Sequence, residues 1–367
     1  MRLAFAALLT VHGLIHLLGV AKAFGLADLP QLTQPITPAR GWLWLAAAVL
    51  CVAAAAALFL APRWWWVAGL LAVAVSSQAI VGSWTDAKAG MVANLLIAVV
   101  AVVALAMDGP WGLRAEYDRD VRTVLARPHA AAAITEADLA ALPAPVQRYL
   151  RRAGVVGQPR VWNVRVRMHG RIRSGPDAAW MPLEAEQHNT FDTPARLFYL
   201  TATMRGLPVD GYHRFADGAA TMRIRAAGLV PVQRASGDEM TQAETVTLFN
   251  DMCLLAPATL VDPGIRWQAL DDRHVEARFT HGRHTIGATL VFDAAGDLVD
   301  FWSDDRRQAV PGGGGTMTAV RWSTPVREYG QFGPIRVTRL GEARWHPPEG
   351  DYPYIELEFD DVRYNVP

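Results

Sequence analysis

Apolar residues fill four runs within the first 108 positions, at 3–24, 41–61, 64–84 and 90–107, and beyond 135 the pattern changes to short alternations of apolar and polar positions. Each run is close to the roughly 20 residues an α-helix needs to cross the hydrocarbon core of a bilayer. Trp42 and Trp44 open the second run, Trp64, Trp65 and Trp66 open the third, and Trp84 closes it, as interfacial aromatic belts do. Pro62 and Arg63 are so short a connection that runs two and three form an antiparallel hairpin. The pattern therefore predicts four membrane spans over residues 1–108. Residues 109–134 read as a linker, a helical extension of the last run that ends near Pro128.

From 135 to 367 the chain reads as a soluble, β-rich domain. Thr135 is an N-cap candidate with Asp138 three residues on, close to a capping box. A short amphipathic helix follows, with Pro145 in its first turn, Val146, Tyr149, Leu150 and Ala153 on one face, and Gly154 at its end. Between 160 and 173 Val164, Val166, Met168 and Ile172 alternate with Arg165, Arg167, His169 and Arg171, which predicts a strand buried on one face. Further strands are expected at 180–191, 196–204, 208–216, 219–226 and 229–234, then at 273–281, 283–293, 297–304, 325–331, 334–339, 341–346 and 353–365. One helix, Asp238 to Leu255, interrupts them. Consecutive strands without intervening helices indicate an antiparallel meander. The expected fold is a membrane α-helical bundle plus an α+β soluble domain, with a strongly curved antiparallel sheet or incomplete barrel packed on short helices.

Charge sharpens the division. Only Arg2, Lys22, Asp28, Arg40, Arg63, Asp86, Lys88 and Asp108 are charged in the first 110 positions, out of 35 basic and 35 acidic residues in the chain. The rest is nearly neutral, without the basic footprint of a nucleic-acid binder. Every basic residue beyond position 110 other than His is Arg, a bias that carboxylate or phosphate recognition and a GC-rich genome produce alike. Cys51, in an apolar run, and Cys253, in the expected helix, form neither a disulfide framework nor a metal cluster. Arg2, the following apolar stretch and Ala21-Lys22-Ala23 loosely fit a signal peptide, but His12 and His16 within the stretch argue against cleavage. Either way the last span ends on the inner side, and Arg63, Arg114, Arg119 and Arg122 agree. The expected location is a bacterial inner (plasma) membrane, multi-pass, with the β-rich domain in the cytoplasm.

His12 and His16 are four apart, on one helical face near mid-membrane. Such a pair can serve a metal, a haem or a proton relay. The alternative, preferred here, is interhelical hydrogen bonding with Ser76, Ser77, Gln78 or Asn94, with no metal and no cofactor. In the β-rich domain, His281 and His284 straddle a hairpin turn, and the adjacent acids Asp271-Asp272, Asp304-Asp305 and Asp360-Asp361 point to opposite faces of a strand. Nucleophile elbow, Walker loop, dinucleotide fingerprint and His-Glu-x-x-His are absent. The segment Arg306 to Gly315, with four successive glycines, reads as a hairpin tip or a lid.

A curved sheet leaves a concave apolar face. Trp162, Trp180, Phe198, Trp267 and Trp302 are the aromatics expected to line it and to meet a hydrophobic or lipid-like ligand, with membrane lipids as partners. Two other readings stay open. One is a lipid-acting hydrolase or isomerase with Arg306, Tyr329 and Glu342 as its candidate catalytic groups; the other is a structural or interaction protein whose sheet edge docks a partner. Oligomeric state leaves no signal in the sequence.

The segment Leu142-Pro143-x-Pro145-Val146-x-x-Tyr149-Leu150 resembles an uncharacterised bacterial domain family of unknown function. Val164-Arg165 to Gly170, Tyr329-Gly330-x-Phe332-Gly333-Pro334, Gly341-Glu342-Ala343-Arg344-Trp345 and the ending Val362-Arg363-Tyr364-Asn365 share the resemblance. His12-Gly13-Leu14-Ile15-His16-Leu17-Leu18-Gly19 is similar to the first span of its membrane-anchored members. The resemblance covers most of 140–366 and implies no particular activity. The curved sheet is distantly similar to lipoprotein-carrier folds that shelter acyl chains, which implies an apolar ligand and, in those carriers, a site outside the cytoplasm.

Overall fold

The computed structural model describes residues 2–126, 132–310 and 316–367, and within them the chain forms two compact units. One comprises Met1–Ala115 with Ala227–Leu229; the other comprises Glu116–Ala226 and Val230–Pro367. The expected stop near Pro128 and the glycine run 312–315 lie outside the described residues.

The first unit is helical: α1 (Arg2–Ala23), α2 (Pro38–Leu60), α3 (Trp65–Val81), the single turn α4 (Trp84–Ala87) and α5 (Gly90–Asp108). Thr37 caps α2 by accepting from the Arg40 N–H, and Pro38 takes the first turn, where its missing N–H costs nothing. α1 packs on α2, α2 on α3 and α3 on α5. Small residues make this closeness possible: Ala47, Ala48, Cys51 and Ala54 of α2 are buried, and a Cβ on Gly13 would meet the Cys51 Cβ at 3.0 Å. Leu9, Leu58, Trp65 and Ile97 fill the seam, while Leu3, Leu14, Leu60 and Leu95 face outward. α1, α2 and the helical stretch Gly90–Leu125 are long and apolar enough to cross a membrane; α3, at 17 residues, is shorter.

The second unit opens with α6 (Leu113–Leu125), whose residues from Glu116 belong to it, then α7 (Glu136–Leu139) and α8 (Ala144–Ala153). Thr135 and Asp138 close a capping box over α7, and Gly154 ends α8 in the left-handed region at φ 78°. Six strands follow: β1 (Asn163–Ile172), β2 (Met181–Thr190), β3 (Ala195–Met204), β4 (Leu207–Ala216), β5 (Ala219–Ala226) and β6 (Val230–Ser236). Then come α9 (Asp238–Leu254), a 3-10 turn at Pro257–Val261, and β7 (Ile265–Ala269), β8 (His274–His281), β9 (His284–Phe292) and β10 (Leu298–Ser303). The short β11 (Arg307–Ala309), β12 (Met317–Ala319) and β13 (Arg321–Ser323) precede β14 (Val326–Phe332), β15 (Ile335–His346) and β16 (Tyr352–Tyr364).

Fourteen of these strands form one large, curved antiparallel sheet in the order β6-β5-β4-β3-β2-β1-β16-β15-β13-β10-β9-β8-β7, with β14 also on β15. β11 and β12 pair separately. The edge strands β6 and β7 are neighbours in sequence, joined only through α9 and the 3-10 turn. α9 therefore runs over the sheet, touching β3 and β5 of one half and β9 and β10 of the other. Most of its residues are buried, on every side, around Phe249, which stacks on Phe279 at 5.1 Å.

Several expectations need correction. The two strands expected at 334–339 and 341–346 are one: Gly341 pairs with Val326 on one side and Leu357 on the other, so the ladder runs through it. β7, β11, β12 and β13 were not expected, each being at most five residues long. Trp162 and Trp180 lie just outside β1 and β2.

Candidate functional site

α9 crosses the concave face without filling it, and a cavity of about 140 Å³ remains between helix and sheet. Strand periodicity builds one wall. In β3, Arg196, Phe198 and Leu200 alternate toward the cavity, and the register places Gln187 of β2 and His213 of β4 on either side of Phe198. Met168, Leu254, Ile355 and Phe359 make much of the rest apolar.

The other wall is charged. α9 projects Glu244 and Asp251, seven residues apart and hence two turns along one face. Arg196 bridges them: Nε donates to Asp251 at 2.7 Å and Nη1 to Glu244 at 3.0 Å, while Nη2 donates to Gln187 at 3.1 Å. The amides of Gln187 and Asn189 also donate to Asp251, at 2.8 and 2.9 Å. Burial pushes the Glu244 carboxyl up, but the Arg196 guanidinium, aided by His213 and Arg306, more than offsets this and holds it below the usual carboxylate range. Arg306 sits over the rings of Trp322 and Trp345, 3.7 Å from Glu244 Oε1.

Three polar atoms on residues lining this cavity are buried and make no hydrogen bond: Glu244 Oε1, Arg306 Nε and Thr338 Oγ1. Glu244 Oε1 has His213 Nδ1 at 3.5 Å and Arg306 at 3.7 Å, outside hydrogen-bond length. A buried polar atom without a partner costs about 1–3 kcal/mol. Several on one cavity suit an occupant that accepts from Arg306 and donates to Glu244.

The structure separates the residues singled out from sequence. Phe198 lines the cavity; Trp267 packs beside Phe249 in the core at 6.2 Å. Trp302 lies under Arg321 and Trp180 under Arg171 and Arg173, on the polar face of the sheet, and Trp162 donates its backbone N–H to Asn365. Arg306 and Glu342 both line the cavity, Glu342 also pairing with Arg327 and Arg344. Tyr329 does not line it: its hydroxyl donates to the Leu298 carbonyl at 2.7 Å, and Arg336 covers its ring. Sequence reading missed Arg196, Glu244, Asp251 and Trp322. The available signal was α9 itself, which mixes Glu244 and Asp251 with Val246 and Phe249 and so has no wet face.

In the helical unit, His12 Nε2 lies 2.9 Å from Asn94 Oδ1 and 3.1 Å from Ser76 Oγ, and His16 Nε2 lies 2.7 Å from Ser76 Oγ. Gln78 is exposed and takes no part, because it lies on the opposite side of α3 from Ser76.

A family profile matches residues 132–357, that of a family of unknown function, DUF6544. No curated protein matches the chain. Among solved structures, it is similar to a putative outer membrane lipoprotein-sorting protein domain from Vibrio parahaemolyticus, at 11% identity and a TM-score of 0.34, over 56% of this chain and 86% of that one. It is similar to a DUF1329 family protein from Desulfovibrio piger at 10% identity and a TM-score of 0.35, over 61% and 92% of the two chains. A LolA superfamily protein from Nitrosomonas europaea is similar at 10% identity and a TM-score of 0.30, over 60% and 94%.

Proposed function

We infer the role of this chain, which belongs to the DUF6544 family, from its geometry: it is a membrane-anchored binding protein whose β-rich unit holds a small amphiphile in the cavity beneath α9. The observation that carries this reading is the coincidence of an apolar wall with three buried polar atoms that make no hydrogen bond on a single cavity. Volume limits the ligand. About 140 Å³ is close to a cavity that takes one benzene-sized group, and well below the roughly 300–1,000 Å³ of pockets for drug-sized molecules. The occupant is therefore a short or branched apolar group with a hydroxyl- or amide-like end, or the terminal part of a longer lipid. Glu244 and Asp251 balance Arg196 and Arg306, and Glu342 with Glu356 balances Arg327 and Arg344, so a neutral head group fits best.

In this reading residues 1–108 anchor the chain by four spans in a bacterial inner membrane, 109–134 link, and 135–367 bind ligand on the cytoplasmic side. α3 spans about 26 Å at 1.5 Å per residue, short of a 30 Å core, and Trp64 and Trp84 at its ends suit the interfaces. A reporter fused after Pro367 is expected to be active in the cytoplasm; activity only in the periplasm overturns the orientation.

The binding test uses the full chain extracted in mild detergent. Native mass spectrometry is expected to find a neutral amphiphile bound about one to one. Gly341→Leu fills the cavity, since a Cβ there meets only Thr338 Cγ2 and the Pro325 carbonyl, at 3.4 and 3.5 Å, and is expected to abolish that adduct. Repeated recovery of empty wild-type protein, or an unchanged adduct in Gly341→Leu, overturns the reading.

A further inference from the structure

The helical unit holds a second built site, unrelated to the cavity. A ring nitrogen of His12, a ring nitrogen of His16 and the Cys51 Sγ all lie within 4.8 Å of one another, on side chains that are almost wholly buried. The expectation of no metal rested on seeing only two imidazoles, with Cys51 isolated in sequence. Gly13 is what brings α2 close enough to α1 for Cys51 to join them.

The surrounding hydrogen bonds fix the protons. Asn94 Nδ2 donates to Ser77 Oγ at 3.0 Å, which turns Asn94 Oδ1 toward His12. An amide oxygen only accepts, so His12 Nε2 carries the hydrogen and its Nδ1 the lone pair. Ser76 donates its own proton to Asn94 Oδ1 at 3.0 Å, so toward His16 it can only accept. His16 Nε2 is then also N–H, leaving Nδ1 as a lone pair, and that atom is buried with no hydrogen-bond partner. Ligating imidazoles are held in this way, one nitrogen fixed by an outer partner and the other free for the ion.

We propose that His12, His16 and Cys51 form a three-coordinate site for monovalent copper within the helical bundle. Donors around such an ion sit roughly 3.5–4 Å apart for bonds of about 2.0–2.3 Å, so donors now within 4.8 Å of one another close by at most about 1.3 Å through side-chain rotation. Thiolate and imidazole are soft and borderline donors, which favour Cu(I) over Mg or Ca. Zinc prefers a fourth ligand, and no other His, Cys, Asp or Glu joins this group among the described residues. Charge decides in the same direction. Binding displaces the Cys51 thiol proton, and a thiolate with a monovalent ion leaves the site neutral, whereas a divalent ion leaves a net charge among apolar helices.

The test loads copper-depleted full-length protein, in lipid nanodiscs under reducing conditions, with Cu(I) in competition with bicinchoninate. The expected result is one tightly held copper per chain, with an X-ray absorption spectrum fitted by two nitrogen and one sulfur scatterers. Cys51→Ala keeps the Cβ that packs on Gly13 and is expected to weaken binding by at least roughly 100-fold and remove the sulfur signal. Cys253→Ala, in the other unit, is expected to change neither. Folded wild-type protein that holds almost no copper, a wild-type spectrum without sulfur, or copper retained in Cys51→Ala each overturns the proposal. The wild-type measurements stand even if a variant does not fold.

Discussion

Both units bury a polar cluster, and the two are built from different chemistry. The helical unit uses neutral groups, His12, His16, Ser76 and Asn94, each satisfied mainly by hydrogen bonds across helices. The β-rich unit uses full charges, with Arg196 held between Glu244 and Asp251. The difference follows from what surrounds them. A charge among closely packed apolar helices has no counter-dipole to replace water, so amides, hydroxyls and neutral imidazoles are the polar groups that such an interior holds at least cost. In the β-rich unit, the amides of Gln187 and Asn189 and a second guanidinium solvate the charges in place of water.

The sharpest break of this comparison removes the central cation. Arg196→Met leaves Glu244 and Asp251 buried without their main partner and is expected to cost about 3–5 kcal/mol, read as a lowered denaturation midpoint of the full chain. A loss under 1 kcal/mol means the carboxylates are neutral or hydrated. Ser76→Ala makes the equivalent cut in the neutral cluster, leaving His16 Nε2 without an acceptor. The expected loss is smaller, about 1–3 kcal/mol, and follows from thermal unfolding in nanodiscs.

Acid sharpens the contrast at a third ion cluster. Asp297 is held down to about 2 by Arg152 and then Arg336. A depressed carboxyl contributes stability that is complete above its unfolded value near 4 and is lost as pH falls from there to about 2. After allowance for screening by water at the half-exposed Arg152, about 1–2 kcal/mol should vanish across that window, and Asp297→Asn should flatten the curve. The smallest effect serves as a reference remote from both clusters: Thr135→Ala opens the capping box of α7 and is expected to cost about 1 kcal/mol.

The sequence exposed some of this and hid the rest for identifiable reasons. β1 alternates cleanly because one face is buried and the other carries Arg165, Arg167 and Arg171. β3 does not alternate. Ala195 to Leu200 are buried on both faces, with Tyr199 on the outer side beneath Tyr117 of α6, so polarity there carries no period and Arg196 passes for a surface residue. α9 is enclosed on all sides, which removes the amphipathic stripe that separates functional from packing positions. Of the five chosen aromatics Phe198 lines the cavity and the others are placed elsewhere, because large rings stack under arginines on the polar face as readily as they enter a core: Trp180 and Trp302 do the first, Trp267 the second. Cys51 was invisible for another reason, since only the approach of two helices places it beside the imidazoles.

The strand order has a consequence for how the chain is made. β16 occupies the middle of the sheet, pairing β1 on one side and β15 on the other, and Asn163 at the start of β1 bonds to Val366, 203 positions later. A ribosome adding about 5–20 residues per second takes roughly 10–40 s to cover that interval. Throughout it the nascent half-sheet from β1 to β6 carries a bare row of N–H and C=O groups along β1, a template on which another unfinished copy can add its own strand. Chains that stall before Tyr352 keep that row open permanently, so premature termination ahead of the last strand should yield aggregates rather than a loosened monomer.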